Sequence, residues 1–246
     1  FKKVNTAYPQ NRETLKFLKK MNVSRIKYIG NLKYSENKQD QIIHLDKSFK
    51  KQLRNRKIWC ASSTHHDEEL ICGNVHKHLK IRYPNLLTII IPRHINRIKE
   101  IKNQIESLGL NVITRSSKNK ILKDTDIYLV DTYGETKKFY RISNTVFLGG
   151  SLISRGGQNP IEAASLGSNI IYGPNINNFR DVYKLFDEKK ISNKVNNLDE
   201  LIKMVKVLVI KSKNSKNKYL EIKKIGNKIL FQTINEINEI LRKNEN

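Results

Sequence analysis

What is scarce in these 246 residues removes several classes at once. The only cysteines are Cys60 and Cys72, too few for a small disulfide-stapled scaffold, and they fit an enzyme kept in a reducing compartment. Long apolar runs are missing: the longest, residues 86–91, falls far short of the ~20 residues needed to cross a bilayer, and no signal-peptide pattern is visible. The chain is therefore expected to carry no transmembrane segment. Acidic residues are few, 23 against 47 lysines and arginines, for a net charge of +24. Such an excess suits a polyanion, nucleic acid or an anionic membrane surface. It also suits a composition in which lysine, asparagine and isoleucine are abundant everywhere. No basic block interleaved with aromatics, zinc-finger, RNP or basic-zipper pattern accompanies the charge. A nucleic-acid-binding α/β protein thus stays an alternative resting on charge alone. With 38% hydrophobic residues the chain has enough for a core, which argues against a disordered chain.

What is present is a regular alternation of short apolar runs and amphipathic stretches. Residues 12–21 read as a helix with Asn11 as its cap and Leu15, Leu18 and Met21 on one face. A short strand is expected at 25–29, and the polar stretch 36–40 reads as a linker. From Lys57 the pattern sharpens. Strands are expected at 58–61, 86–91, 111–114, 126–130, 145–148 and 169–172, separated by helices at 68–79, 95–108, 137–142 and 160–166. Helices at 178–186, 198–209 and 216–241 complete the chain, the last expected to break near Gly226. Alternation of this kind predicts a doubly wound parallel sheet, whose ligand site lies outside the carboxyl ends of the strands.

The polar motifs follow that rule. Ser62 to Asp67, Pro92-Arg93-His94, Asp131-Thr132-Tyr133-Gly134-Glu135, the long stretch from Gly149 to Glu162, and Gly173-Pro174-Asn175 each follow an expected strand. The stretch Gly149-Gly150-Ser151-Leu152-Ile153-Ser154-Arg155-Gly156-Gly157-Gln158-Asn159-Pro160-Ile161-Glu162 runs from a strand through two glycine pairs into a helix start. That is the outline of an anion or nucleotide site, in which backbone N–H groups receive a phosphate or sugar hydroxyls. It is neither a P-loop nor a dinucleotide fingerprint. In the first turn of its helix, Glu162 can accept two hydroxyls of a ribose or support the helix dipole. Arg93 offers planar donors to a phosphate or carboxylate, or it caps a strand end. Lys33 follows a strand and a Gly30-Asn31 turn, where it faces either a ligand or solvent. The histidines 65, 66, 76 and 78 with Cys72 match no familiar zinc spacing, so neither a metal nor another cofactor is expected.

These motifs resemble those of the 3-deoxy-D-manno-octulosonic acid (Kdo) transferases of lipopolysaccharide synthesis, two-domain GT-B glycosyltransferases. The resemblance is carried by Gly30-Asn31-Leu32-Lys33, Ala61-Ser62-Ser63-Thr64-His65, Pro92-Arg93-His94, Asp131-Thr132-Tyr133-Gly134-Glu135, Phe147-Leu148-Gly149-Gly150-Ser151-Leu152 and Gly156-Gly157-Gln158-Asn159-Pro160-Ile161-Glu162-Ala163-Ala164, in order over residues 25–186. It implies a Rossmann-like C-terminal domain of a GT-B enzyme with CMP-Kdo as donor, with another nucleotide-sugar GT-B transferase as the nearer alternative. Pro92, Arg93, Tyr133, Gly134, Glu135, Asn159, Pro160, Ile161 and Glu162 would hold the CMP, and Lys33 would stabilise the transition state. The implied acceptor is a lipid A precursor, and the implied location is peripheral, on the anionic cytoplasmic face of the bacterial inner membrane. The resemblance further implies that residues 1–45 are the tail of an acceptor domain plus linker. Residues 46–246 would be the donor-binding domain with a crossing C-terminal helix, and the general base would lie outside this chain. The chain departs from the family at Thr64-His65-His66-Asp67-Glu68-Glu69, where a glycine is lost, and at Tyr133, where methionine is common.

Overall fold

The computed structural model describes residues 4–35, 46–211 and 215–244. The linker expected at 36–40 lies outside the described residues. In chain order the elements are α1 (Arg12–Lys20), α2 (Lys47–Gln52), β1 (Lys57–Thr64), α3 (Glu68–Lys80), β2 (Leu86–Pro92), α4 (Ile98–Glu106), β3 (Val112–Thr114) and β4 (Ile127–Leu129). There follow α5 (Thr136–Ile142), β5 (Thr145–Leu148), α6 (Ile161–Ser165), β6 (Asn169–Tyr172), α7 (Arg180–Glu188), β7 (Ser192–Lys194), α8 (Leu198–Leu208) and α9 (Ser215–Asn244). Two compact units are formed, one from Phe1–Gln41 with Tyr219–Asn246, the other from Ile42–Lys218.

The larger unit is a seven-stranded sheet in the order β3-β4-β2-β1-β5-β6-β7, with every neighbouring pair parallel. The chain winds outward from β1 through β2 and then returns to the other side of β1 at β5. The β1/β5 boundary is therefore the switch point, where loops diverge and leave a crevice at the carboxyl ends. Burial explains why the central strands read as continuous apolar runs: every residue of β2 is buried, and Trp59, Cys60 and Ala61 of β1 are fully covered. Helix α3 buries Cys72, Val75 and Leu79 on its sheet face, while α8 contributes Leu201, Val205 and Leu208 to the same core. Asn197 caps α8 by accepting from the Glu200 N–H at 3.0 Å.

The smaller unit packs α1, a 3-10 turn at Leu32–Ser35 and α9. Asn11 caps α1 as expected, its side chain accepting from the Thr14 N–H at 2.7 Å. The strand expected at 25–29 is reduced to a single parallel bridge between Ala7 and Ile26. The break expected at Gly226 does not occur, and α9 is continuous from Ser215 to Asn244. Gly226 serves close approach instead: a Cβ there would collide with the Tyr34 carbonyl. Two elements carry no sequence signal. Helix α2 buries Phe49 alone, and β7 (Ser-Asn-Lys) is held at the sheet edge by pairing with β6.

Candidate functional site: the carboxyl edge of the sheet

Strand β1 runs to Thr64, past the expected end at Ala61, so residues 62–64 are sheet rather than loop. At its tip the Thr64 carbonyl accepts from the Arg93 N–H at 2.9 Å, which joins the ends of β1 and β2. Across the switch point, the Gly149 N–H donates to the Ser62 carbonyl at 2.8 Å. A Cβ on Gly149 would lie 2.6 Å from the Ser63 carbonyl oxygen, so only glycine allows this approach.

The glycine loop is held by one buried carboxylate. Glu68, at the start of α3, has no exposed surface. Its Oε2 accepts from the N–H groups of Gly150 at 2.6 Å and His65 at 3.1 Å, and its Oε1 from Ser151 at 3.2 Å and Leu152 at 3.1 Å. Burial pushes the Glu68 carboxyl above the ordinary carboxylate range, and the four backbone donors pull against that shift. Ser151 continues the clamp: its hydroxyl donates to the Leu148 carbonyl at 2.5 Å and accepts from the Gly173 N–H at 2.8 Å, fixing the end of β6 against the end of β5. For its first half, the expectation that the glycine loop presents its amides to a ligand is corrected here. From Gly149 to Leu152 those amides point to protein acceptors.

Beyond β4, the Tyr133 to Glu135 loop behaves differently. The N–H groups of Tyr133 and Gly134 have no acceptor among the described residues, Gly134 takes φ +77° with open space beside it, and Tyr133 is 78% exposed. Glu135 is a clamp. It accepts from Arg115 Nε and Nη2, both at 3.0 Å, from Thr132 Oγ1 at 2.5 Å and from Lys138 Nζ at 3.0 Å. The Arg115 hydrogen bond is the chief reason its carboxyl drops to about 2. Its side chain is thereby committed to the loop.

The remaining site residues divide by exposure. Pro92, Pro160 and Ile161 are buried, so they shape backbone. Asn159 accepts from the Ile161 N–H at 3.1 Å and starts α6. Glu162 is exposed, with Lys137 Nζ 3.2 Å from one of its oxygens. Arg93 and His94 are exposed at the end of β2. The His94 ring meets His65 edge to face, with centroids 5.6 Å apart. The sheet therefore gathers Pro92, Arg93, Tyr133, Gly134, Glu135, Asn159, Pro160, Ile161 and Glu162 along one edge. Lys33 belongs to the smaller unit, exposed on the turn that begins where the Asn31 side chain accepts its N–H at 3.0 Å. The histidine cluster dissolves: His76 is buried between Thr88 (2.8 Å) and Asp126 (3.1 Å), while His78 is exposed. Among the described residues no group of three or more His, Cys, Asp or Glu could hold a metal. The sequence reading missed Glu68, Arg115 and Ser151 as the residues that fix these loops.

A seven-stranded, doubly wound parallel sheet with its polar loops converging at the switch point is the Rossmann-like C-terminal domain of a GT-B glycosyltransferase. Within that class the chain is similar to the Kdo transferases. It is 30% identical over 195 residues to 3-deoxy-D-manno-octulosonic acid transferase of Haemophilus influenzae, covering 79% of this chain and 46% of that protein. To the enzyme of the same name from Rickettsia bellii it is 29% identical over 204 residues, covering 81% of this chain and 48% of the other. The crystal structure of the C-terminal CMP-Kdo binding domain of WaaA from Acinetobacter baumannii superimposes with a TM-score of 0.65 at 25% identity, over 70% of this chain and 90% of that domain. No family profile matches the chain. The chain spans about half the length of the curated relatives it matches.

Proposed function

We propose that this chain is the donor-binding part of a Kdo transferase, which passes Kdo from CMP-Kdo to a lipid A precursor with inversion at the anomeric carbon. The observation that carries the reading is the convergence of the motif-bearing loops at the switch point of a sheet similar to a CMP-Kdo binding domain. Arg93 takes the phosphate of CMP, with Pro92 shaping the strand end. Tyr133 and Gly134 offer their unpartnered N–H groups, and Glu135 keeps that loop in place. Asn159, Pro160 and Ile161 set the start of α6 so that Glu162 accepts the ribose hydroxyls. Lys33 stabilises the transition state.

In the reaction, a hydroxyl of the acceptor attacks C2 of Kdo from the face opposite CMP. The bond from C2 to the phosphate oxygen breaks, and its electron pair stays on CMP. Negative charge therefore grows on the phosphate, and cations placed there lower the barrier without a metal. The proton of the attacking hydroxyl goes to a general base outside this chain. The full-length protein works peripherally on the anionic cytoplasmic face of the inner membrane. Among the described residues no helix is long and apolar enough to cross it.

Competition among CMP, UMP and GMP in a thermal-shift titration tests the donor. CMP is expected to raise the melting temperature at the lowest concentration, since a ligand at a hundred times its dissociation constant stabilises by ~2.7 kcal/mol. Equal or better stabilisation by UMP or GMP would sink the cytidine assignment. For the ribose contact, Glu162→Gln is expected to weaken CMP about tenfold while weakening 2′-deoxy-CMP much less. An equal loss on both nucleotides would remove Glu162 from the ribose.

A further inference from the structure

The amides from Gly149 to Leu152 are all directed to protein acceptors, Gly149 to the Ser62 carbonyl and the next three to Glu68. The amides of Arg155 and Gly157 also stay inside the loop, donating to the carbonyls of Ile153 (2.8 Å) and Gly150 (2.9 Å). A backbone N–H already bonded to a carboxylate or carbonyl is not available to a ligand oxyanion. The first half of the loop, Gly149 to Leu152, therefore does not work as a phosphate cradle in the way its glycines suggest. An anion bound beside Gly149 to Leu152 needs donors other than these four amides, and side chains can supply them.

The side chains available there are cationic. Gly150, in the left-handed region at φ +65°, passes so close to its neighbours that a Cβ on it would lie 3.2 Å from the His65 ring and 3.3 Å from Arg155 Cβ. Arg155 thus leaves the loop beside His65. Arg93 leaves the end of β2 with its backbone bonded to Thr64, the residue before His65. Both charges act on His65: burial together with the charges of His94, Arg155, Arg93 and Arg97 holds its imidazole below the usual range. Arg97 is neutralised, pairing with Glu69 at 3.3 Å and Glu100 at 3.4 Å. Arg93 and Arg155 have no acidic partner among the described residues, and both are exposed. Uncompensated like charges converging on one crevice are held there at an electrostatic cost that a bound anion removes.

Resting on the reading above, we propose that Arg155 is a second anion-binding residue of the donor site, facing Arg93 across the tip of β1 and doing the work the inward-turned loop amides cannot do. The ligand chemistry is an oxyanion of the donor, of which a CMP-linked keto-acid sugar has two, the phosphate and the sugar carboxylate. A guanidinium suits either, through two parallel hydrogen bonds.

Calorimetric titration of the full chain and of Arg155→Gln with cytidine, CMP and freshly prepared CMP-Kdo tests this, with Lys77→Gln on the exposed face of α3 as a control for lost net charge. Arg155→Gln is expected to keep cytidine affinity within about twofold and to lose about tenfold to a hundredfold on an anionic ligand, the range of a charge-assisted contact. A loss already present with CMP assigns Arg155 to the phosphate; a loss confined to CMP-Kdo assigns it to the carboxylate. Unchanged affinity for both, or an equal loss in Lys77→Gln, overturns the proposal. The His65 imidazole resonances give a readout independent of nucleotide identity. Arg155→Gln should raise the His65 pKa in the free protein, and inorganic pyrophosphate should raise it in the parent chain more than in the variant. If the parent binds neither cytidine nor CMP, the donor reading fails by itself, and the His65 titration still decides on Arg155: an unmoved pKa in both comparisons refutes the site.

Discussion

Glu135 receives four hydrogen bonds from three side chains, so the residue that the motif suggests for ligand contact is engaged in holding its own loop. Its folded pKa of about 2 lies below its ordinary value of 4.5. A depressed carboxyl contributes stability that is fully present above the unfolded pKa and is lost as pH falls through the folded one. Arg115→Gln removes the chief cause, so the variant should be less stable than the parent at pH 7 by about 1 kcal/mol, a figure kept small because the pair is partly solvated. The difference should shrink between pH 4.5 and pH 2, as the parent loses the charge that Arg115 holds. Urea melts at pH 7, 4 and 2.5 measure it, and a gap that stays constant with pH would refute the pairing. Motif order located Glu135, Arg93 and Glu162 on one edge, because each lies in the polar stretch that follows an apolar run. Glu68 was not legible in this way. Its bonds to Gly150, Ser151 and Leu152 span 82, 83 and 84 residues, and in one dimension a glutamate beginning a helix looks the same whether it faces water or a loop.

Elements with a strong period were legible because burial imposes the period. The apolar run of β2 is buried at every position, and α3 and α8 keep their apolar spacing against one core. Helix α2 and strand β7 were not, since the first buries only Phe49 and the second is a Ser-Asn-Lys stretch recruited by the edge of β6. In α9, Ile234 at 46%, Ile237 at 50% and Leu241 at 55% are exposed, while Ile229 is buried. Gly226 misled for a definite reason. A glycine inside a helix costs about 1 kcal/mol relative to alanine, so it reads as a break. Here the missing Cβ makes room for the Tyr34 carbonyl. Two effects then compete in Gly226→Ala, the helix-propensity gain and a backbone collision that no rotamer relieves. The collision is expected to win, lowering the melting temperature and weakening amide protection at 32–35. A variant more stable than the parent would show that the turn at Leu32–Ser35 can yield.

At the scale of the whole molecule, the two units contribute different chemistry to the proposed reaction. The larger one holds every proposed nucleotide contact, with Arg93, Arg155 and the 133–135 loop at the carboxyl edge of its sheet, and the smaller one holds Lys33. None of the residues assigned a role takes a proton from an acceptor hydroxyl, because the carboxylates at the edge are otherwise engaged: Glu68 with four amides, Glu135 with three side chains, Glu69 with Arg97 and Glu162 with Lys137. Activation of an acceptor hydroxyl needs a base within hydrogen-bond reach of it. The chain spans 46% and 48% of the two Kdo transferases to which it is similar. Binding and transfer should therefore separate. The purified 246-residue chain is expected to bind CMP and CMP-Kdo and to give no transfer of Kdo to a lipid A precursor above the no-enzyme control, followed by mass spectrometry of the lipid. Turnover by this chain alone would place a base within it, and Glu162, the most exposed of these four carboxylates, would become the first to replace.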